Sequence, residues 1–176
     1  MPIYELNGRS PQIDKTAFVH PDAVLIGDVR IGSYSSIWPT AVLRGDSNYI
    51  QVGNETSIQD GCIIHCQTNY PTIIGSRCVV GHNTHLEGCV VEDKCLIGSG
   101  STVLEKVLVK KGSLVAAQSL VPPGKEIPPN SLAMGVPVKI KENAIEDGVF
   151  EDGVNHYLEL TQMYKNSLRK IGRAHV

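Results

Sequence analysis

The sequence predicts an all-β fold: a parallel β-helix of six-residue repeats, with an α-helix packed along it at the C-terminal end. Three observations carry this. Aliphatic residues recur at a six-residue step from Ile26 to Val121. The composition is rich in small β-branched residues and poor in aromatics, with 19 Val and 16 Ile against nine Phe, Trp and Tyr together. Beyond about Glu151 the apolar period becomes helical. Short, close-stacked strands suit such small branched side chains, and the length is ample to bury a core.

The repeat begins with aliphatic–glycine pairs at Ile26-Gly27, Ile31-Gly32, Val52-Gly53, Ile74-Gly75, Val80-Gly81 and Ile97-Gly98. Positions that keep the step without the glycine extend the row through Ile37, Leu43, Ile58, Ile64, Leu86, Val91, Val103, Val109, Val115 and Val121. A six-residue step fits neither an amphipathic helix nor alternating hairpins. It fits three short strands per coil, with the aliphatic residue inside and its neighbour outside. Two longer steps, 43 to 52 and 64 to 74, mark insertions of three residues near Asp46–Ile50 and four near Gln67–Pro71.

Cys62, Cys78, Cys89 and Cys95 each precede a core aliphatic by two residues. Ser35, Ala41, Thr56, Thr84, Ser101 and Ser113 fill the same small inward corner, so these cysteines read as buried, unpaired thiols. Cys66 breaks the pattern and is expected in an outward turn. The regular repeat is expected to stop near Val121, because Pro122-Pro123-Gly124 and Pro128-Pro129 suit a turning loop rather than a ladder. Residues 1–140 are assigned to the β-helix with a short lead-in, and 141–176 to a linker and the helix. That helix is predicted from Val154, Tyr157, Leu158, Thr161, Tyr164, Leu168 and Ile171, with Lys165, Arg169 and Lys170 near its end. Gly172 is expected to stop it, leaving Arg173–Val176 frayed.

Charge excludes some functions. Sixteen Lys and Arg against 18 Asp and Glu, with no basic run, argue against a nucleic-acid binder. No apolar stretch reaches the ~18 residues of a membrane span. Five cysteines without a secretory signal point to reduced thiols in a cytoplasmic protein.

The frame also sorts outward polar residues. Arg44, Gln59, His65 and Glu87 each directly follow a core aliphatic. Once the insertions are removed, 44 to 65 and 65 to 87 each equal one coil of 18 residues. Arg44, His65 and Glu87 therefore form one outward column. His82 falls at a corner and leaves the prism at a different angle, so it meets such a column more readily from a neighbouring copy. Imidazole and carboxylate are ordinary ligands for zinc, iron or cobalt.

Ser36-Ile37-Trp38-Pro39, Leu43-Arg44-Gly45-Asp46, Ile58-Gln59-Asp60-Gly61, Ile64-His65 and Val80-Gly81-His82-Asn83, in this order and spacing, closely resemble the γ-class carbonic anhydrases. The likeness continues through Gly98–Leu104 and Ile127–Val138 to the final helix. It implies a left-handed β-helix, a homotrimer and a metal, zinc first, held by three histidines at each subunit interface. His65 and His82 fall on two ligand positions. Arg44 and Asp46 fall on residues that link subunits and border the site. Gln59 falls on the glutamine that holds the reactive water, and Tyr157, in Asn155-His156-Tyr157, on a tyrosine beside the pocket. The third ligand position carries Glu87, with His85 two residues earlier. Glu87 as ligand, His85 as ligand, and a weakened or lost site all stay open here. Ser57 replaces an asparagine common in relatives, and the acidic loop that donates a proton-shuttle glutamate in some members is absent. The function implied is reversible hydration of carbon dioxide by metal-activated hydroxide, slowed by Glu87. The alternatives are an acyltransferase or metal-dependent acyl-thioesterase of the hexapeptide group, or a non-catalytic trimeric assembly protein.

Overall fold

The structure is a computed structural model and describes residues 2–172. It is a parallel β-solenoid of about seven turns with one C-terminal helix. Three faces wind around a single core. The first face stacks the opening halves of Val24–Ile31 and Val42–Val52 with Ile63–His65, His85–Glu87, Thr102–Val103 and Leu120–Val121. The second runs from Phe18–Val19 through Ser36–Ile37, Ser57–Ile58, Val79–Val80, Leu96–Ile97 and Leu114–Val115 to Leu132–Gly135. The third takes the closing halves of the two long strands, then Thr72–Ile74, Val90–Val91, Leu108–Val109 and Glu126–Ile127. Pairing within the coils is parallel throughout, and a short antiparallel strand, Val138–Lys141, closes the stack on Leu132–Gly135.

The predicted inward row is buried from Ile31 to Val121, and the corner Ser, Thr, Ala and Cys side chains are buried with it. Cys62, Cys78, Cys89 and Cys95 are free thiols, each packed in this core. Burial pushes the Cys62 thiol to about 11 and the Cys89 and Cys95 thiols to about 12, which leaves them inert. At the start of the row the phase differs from expectation. Leu25, not Ile26, faces inward, because Leu25 pairs with Leu43 while Ile26 pairs with Arg44 on the outside. The step from Leu25 to Ile31 is then a regular six.

The repeat also runs past Val121, contrary to the expectation. Glu126–Ile127 and Leu132–Gly135 continue two of the faces. The prolines are tolerated because Leu120–Val121 and Glu126–Ile127 are the last strands of their faces. An N–H at Pro122 or Pro128 would have no further coil to bond.

The helix α1 (Glu151–Ser167) is amphipathic and lies against the second face. Trp38 is its seat: Tyr164 and Tyr157 meet the indole edge-on at centroid distances of 5.0 and 5.7 Å, and Phe18 packs at 5.6 Å. The indole Nε1–H points to the hydroxyls of Ser36 and Ser57, 3.0 Å from each. Arg77 binds Glu151 and Glu55 at the start of the helix, and Lys165 Nζ donates to the Thr16 carbonyl at 2.9 Å near its end. The helix stops at Ser167, five residues before Gly172, because Leu168 turns to extended backbone. Arg169, Lys170 and Ile171 lie beyond it, with Ile171 almost fully exposed, so they neither cap the helix nor extend its apolar face. The expectation for Arg173–Val176 falls outside the described residues.

Candidate metal centre

The first face sets the register of the site. Arg44 pairs with His65 and His65 with Glu87, one coil apart at each step. The Arg-Gly-Asp segment has a physical reason for its glycine. A Cβ on Gly45 would sit 2.4 Å from the Asp28 carbonyl oxygen, and one on Gly27, at φ +75°, would sit 2.3 Å from the Gly45 oxygen. The two long strands ride on each other at that point, which lets Arg44 and Asp46 flank the contact.

Both insertions land beside this column and are tied together. Asn48 Nδ2 donates to the Thr68 carbonyl at 2.9 Å, and the Asn48 N–H to Cys66 Sγ at 3.2 Å. Cys66 is fully buried, not outward as expected, because the chain turns in against the first insertion before the second begins. Burial pushes its thiol up.

His65 stands between two carboxylates. Its Nδ1 lies 3.0 Å from Glu87 Oε1 and its Nε2 lies 2.9 Å from Asp46 Oδ1, while Arg44 pairs with the other oxygen of Asp46. Burial alone would raise the Asp46 carboxyl, but hydrogen bonds from His65 and Arg44, with their charges, hold it at about 2. Glu87 is lowered in the same way: burial opposes, and bonds to His65 and His85 prevail. His85 Nε2 lies 3.5 Å from Glu87 Oε2, and the other oxygen, Oε1, reaches His65 Nδ1, so Glu87 is the group that stacks on the imidazole.

The donor set fits a cation. A neutral imidazole carries one N–H, so one of its nitrogens aims a lone pair at a carboxylate oxygen about 3 Å away unless a second proton or a metal ion lies between. Two ligands of a tetrahedral zinc with bonds of ~2.0–2.1 Å stand ~3.3 Å apart, close to the separation of His65 Nδ1 and Glu87 Oε1. With an ion held by Nδ1, Asp46 on Nε2 would orient the ring from the other side.

The remaining predicted residues gather elsewhere. His82 sits at the corner after the second face, with Nδ1 3.0 Å from Asp60 Oδ2. Gln59, expected to point outward, is buried where it follows Ser57–Ile58 on the second face. Tyr157 is half-buried against Trp38; burial, and then the Asp60 charge, raise its phenol. Sequence reasoning missed the pairing of Asp60 with His82, although Gln59-Asp60-Gly61 was a motif element. One chain thus carries two separate groups: Arg44, Asp46, His65 and Glu87, and Gln59, Asp60, His82 and Tyr157.

No family profile matches the chain. A Methanocaldococcus jannaschii protein named "Probable carbonic anhydrase" is 49% identical over 152 residues, covering 85% of this chain and 96% of that one. Gamma carbonic anhydrase 2, mitochondrial, of Arabidopsis thaliana is 40% identical over 92% of this chain, which spans 61% of the plant protein. The chain belongs to the γ-class carbonic anhydrase family. Its fold is the left-handed parallel β-helix of hexapeptide-repeat proteins. The crystal structure of a hexapeptide transferase family protein from Anaplasma phagocytophilum superposes with a TM-score of 0.86 at 34% identity, covering 92% of this chain and 97% of that one.

Proposed function

We propose that this γ-class family member hydrates carbon dioxide reversibly at metal sites shared between copies of a homotrimer. His65 and Glu87 of one copy and His82 of the next would hold the ion. The observation that carries this reading is the division of the site. Each histidine is steered by a carboxylate, His65 by Asp46 and His82 by Asp60, yet they stand on different parts of the prism.

When bound, zinc or another divalent cation supplies the Lewis acidity that makes hydroxide available at neutral pH. The chain's own residues do the rest. Asp46 fixes the His65 ring through Nε2. Arg44 neutralises Asp46 and, half-exposed, favours the negative charge that develops as bicarbonate forms. Gln59, carried on the element that leads to Asp60 and His82, orients the attacking oxygen. Tyr157 closes the pocket from α1. Glu87 in place of a neutral ligand lowers the net positive charge by one, which slows the reaction near neutrality.

The test is metal analysis and carbon dioxide hydration on protein purified without added metal. The expected result is roughly one transition-metal ion per chain and an activity lost on chelation. Less than about one ion per three chains would leave the reading without its metal.

A second reading has support in the transferase description of the Anaplasma structure: acyl transfer or acyl-thioester hydrolysis at the same interface, with His82 or His85 as base. Turnover of an acyl thioester that survives chelation would favour the transferase. Chelator-sensitive hydrolysis would favour a metal-dependent thioesterase.

A further inference from the structure

Cys66 differs from the other four cysteines in place as well as in contacts. Cys62, Cys78, Cys89 and Cys95 fill corner slots that serine, threonine or alanine fill in other coils. Cys66 stands between the strand Ile63–His65 and the second insertion, outside the repeat. Asp46, His65 and Cys66 each bring one ligand atom to within 4.8 Å of the others. His65 and Cys66 also border a pocket of about 400 Å³ walled by Ser47, Thr68, Asn69 and Tyr70; His65 is partly exposed toward it, while Cys66 is buried behind.

We propose that Asp46, His65 and Cys66 form a second metal site, held within one chain and selective for a thiophilic divalent cation such as zinc or cadmium. The chemistry balances. On binding, the thiol proton and any proton on the coordinating imidazole nitrogen pass to water, leaving a thiolate, a neutral imidazole and a carboxylate. Two negative ligands neutralise the two charges of the ion. Sulfur, nitrogen and oxygen donors of this kind suit zinc, with water from the pocket as a fourth ligand. Arg44 takes Asp46 Oδ2; Oδ1 accepts from the Ser47 N–H at 2.7 Å and faces His65 Nε2 at 2.9 Å, and it is this contact with the imidazole that an ion would replace.

His65 is the pivot. Its Nε2 faces Asp46 and its Nδ1 faces Glu87, so one imidazole serves two donor sets. The site on the Asp46 side is complete in a single chain, whereas the site on the Glu87 side draws on a second copy. The within-chain site therefore takes up metal before or without assembly. It needs neither Glu87, His82 nor any hydration activity, so its failure and that of the proposed function are separable.

The experiment uses metal-free full-length protein loaded with zinc in excess and read by X-ray absorption at the zinc edge. One sulfur at ~2.3 Å per chain is expected, beside nitrogen and oxygen at ~2.0–2.2 Å. Nitrogen and oxygen alone would overturn the proposal. Cobalt gives a second readout, a near-ultraviolet thiolate-to-cobalt absorption that should persist in Glu87→Gln and vanish in Cys66→Ser. Its loss in Glu87→Gln, or its survival in Cys66→Ser, would also overturn it. The zinc-edge measurement needs no variant, so a Cys66→Ser chain that fails to fold leaves the test intact.

Discussion

Glu87 lies directly above His65, one coil on, with its Oε1 3.0 Å from Nδ1 of the imidazole. A carboxylate thus stands where the family resemblance expects a third histidine. At the proposed metal site, replacing it by histidine would put a neutral donor there and raise the net charge by one unit. Glu87→His is expected to raise carbon dioxide hydration at neutral pH by about tenfold, the effect of lowering the nucleophile's pKa by ~1 unit. Glu87→Gln should weaken metal retention instead. Equal activity of the histidine variant and the parent, both loaded with metal and trimeric, would contradict this.

Asp46 ties the same column to acid stability. Its carboxyl is held at about 2, below an ordinary value of 3.8, by His65 and Arg44. A depressed carboxylate contributes its stability above the unfolded value and loses it as pH falls through the folded one. The window therefore runs from about pH 4 down to about pH 2, and Glu87, shifted in the same direction, adds to it. The contribution is on the order of 1–2 kcal/mol for a partly exposed group. Thermal melts across this window should fall less steeply for Asp46→Asn than for the parent. Parallel curves would show that Asp46 carries no such linkage.

The register of the column was legible because the coil length is fixed: with 18 residues per coil and two insertions removed, Arg44, His65 and Glu87 have to align. The prolines misled because the rule against proline in a ladder depends on whether another coil follows, and sequence does not say where the last coil is. Ile26 misled because its aliphatic–glycine pair with Gly27 copies the inward signature, although Leu25, a full six residues before Ile31, is the one that pairs with Leu43. Cys66 was misplaced because the repeat has no authority inside an insertion. The bond between Asp60 and His82 joins neighbouring coils at a corner, where side-chain direction follows turn geometry that period alone does not contain.

Trp38 is expected to govern the docking of α1. It is nearly fully buried, touches both tyrosines of the helix and has its Nε1–H satisfied by two serines. Trp38→Ala should cost about 3–5 kcal/mol and release the helix to proteolysis. Arg77→Ala removes a partly exposed ion pair and should cost only about 1 kcal/mol. Faster amide exchange in the first turn of α1 would be its signature. If both variants left exchange in α1 unchanged, the helix would be held by something other than these contacts.

Gly45→Ala tests whether the Arg-Gly-Asp segment is a packing device or a recognition motif. The added Cβ would lie 2.4 Å from the carbonyl oxygen of Asp28 and 2.8 Å from its carbon, both backbone atoms of the neighbouring strand. No side chain can swing away, so the strand Val42–Val52 has to lift from Val24–Ile31 at the place where their register already shifts. Overpacking of this kind costs typically ~1–3 kcal/mol. The displacement acts on Arg44 and Asp46, the two residues joined to Gly45 by peptide bonds, and through Asp46 on the His65 ring. Activity should therefore fall further than stability. Turnover of the metal-loaded variant is expected to drop by about tenfold or more at a temperature where the fold is intact, since small misplacements of positioning groups carry such losses. A variant that loses stability yet keeps full turnover would show that the glycine serves packing alone.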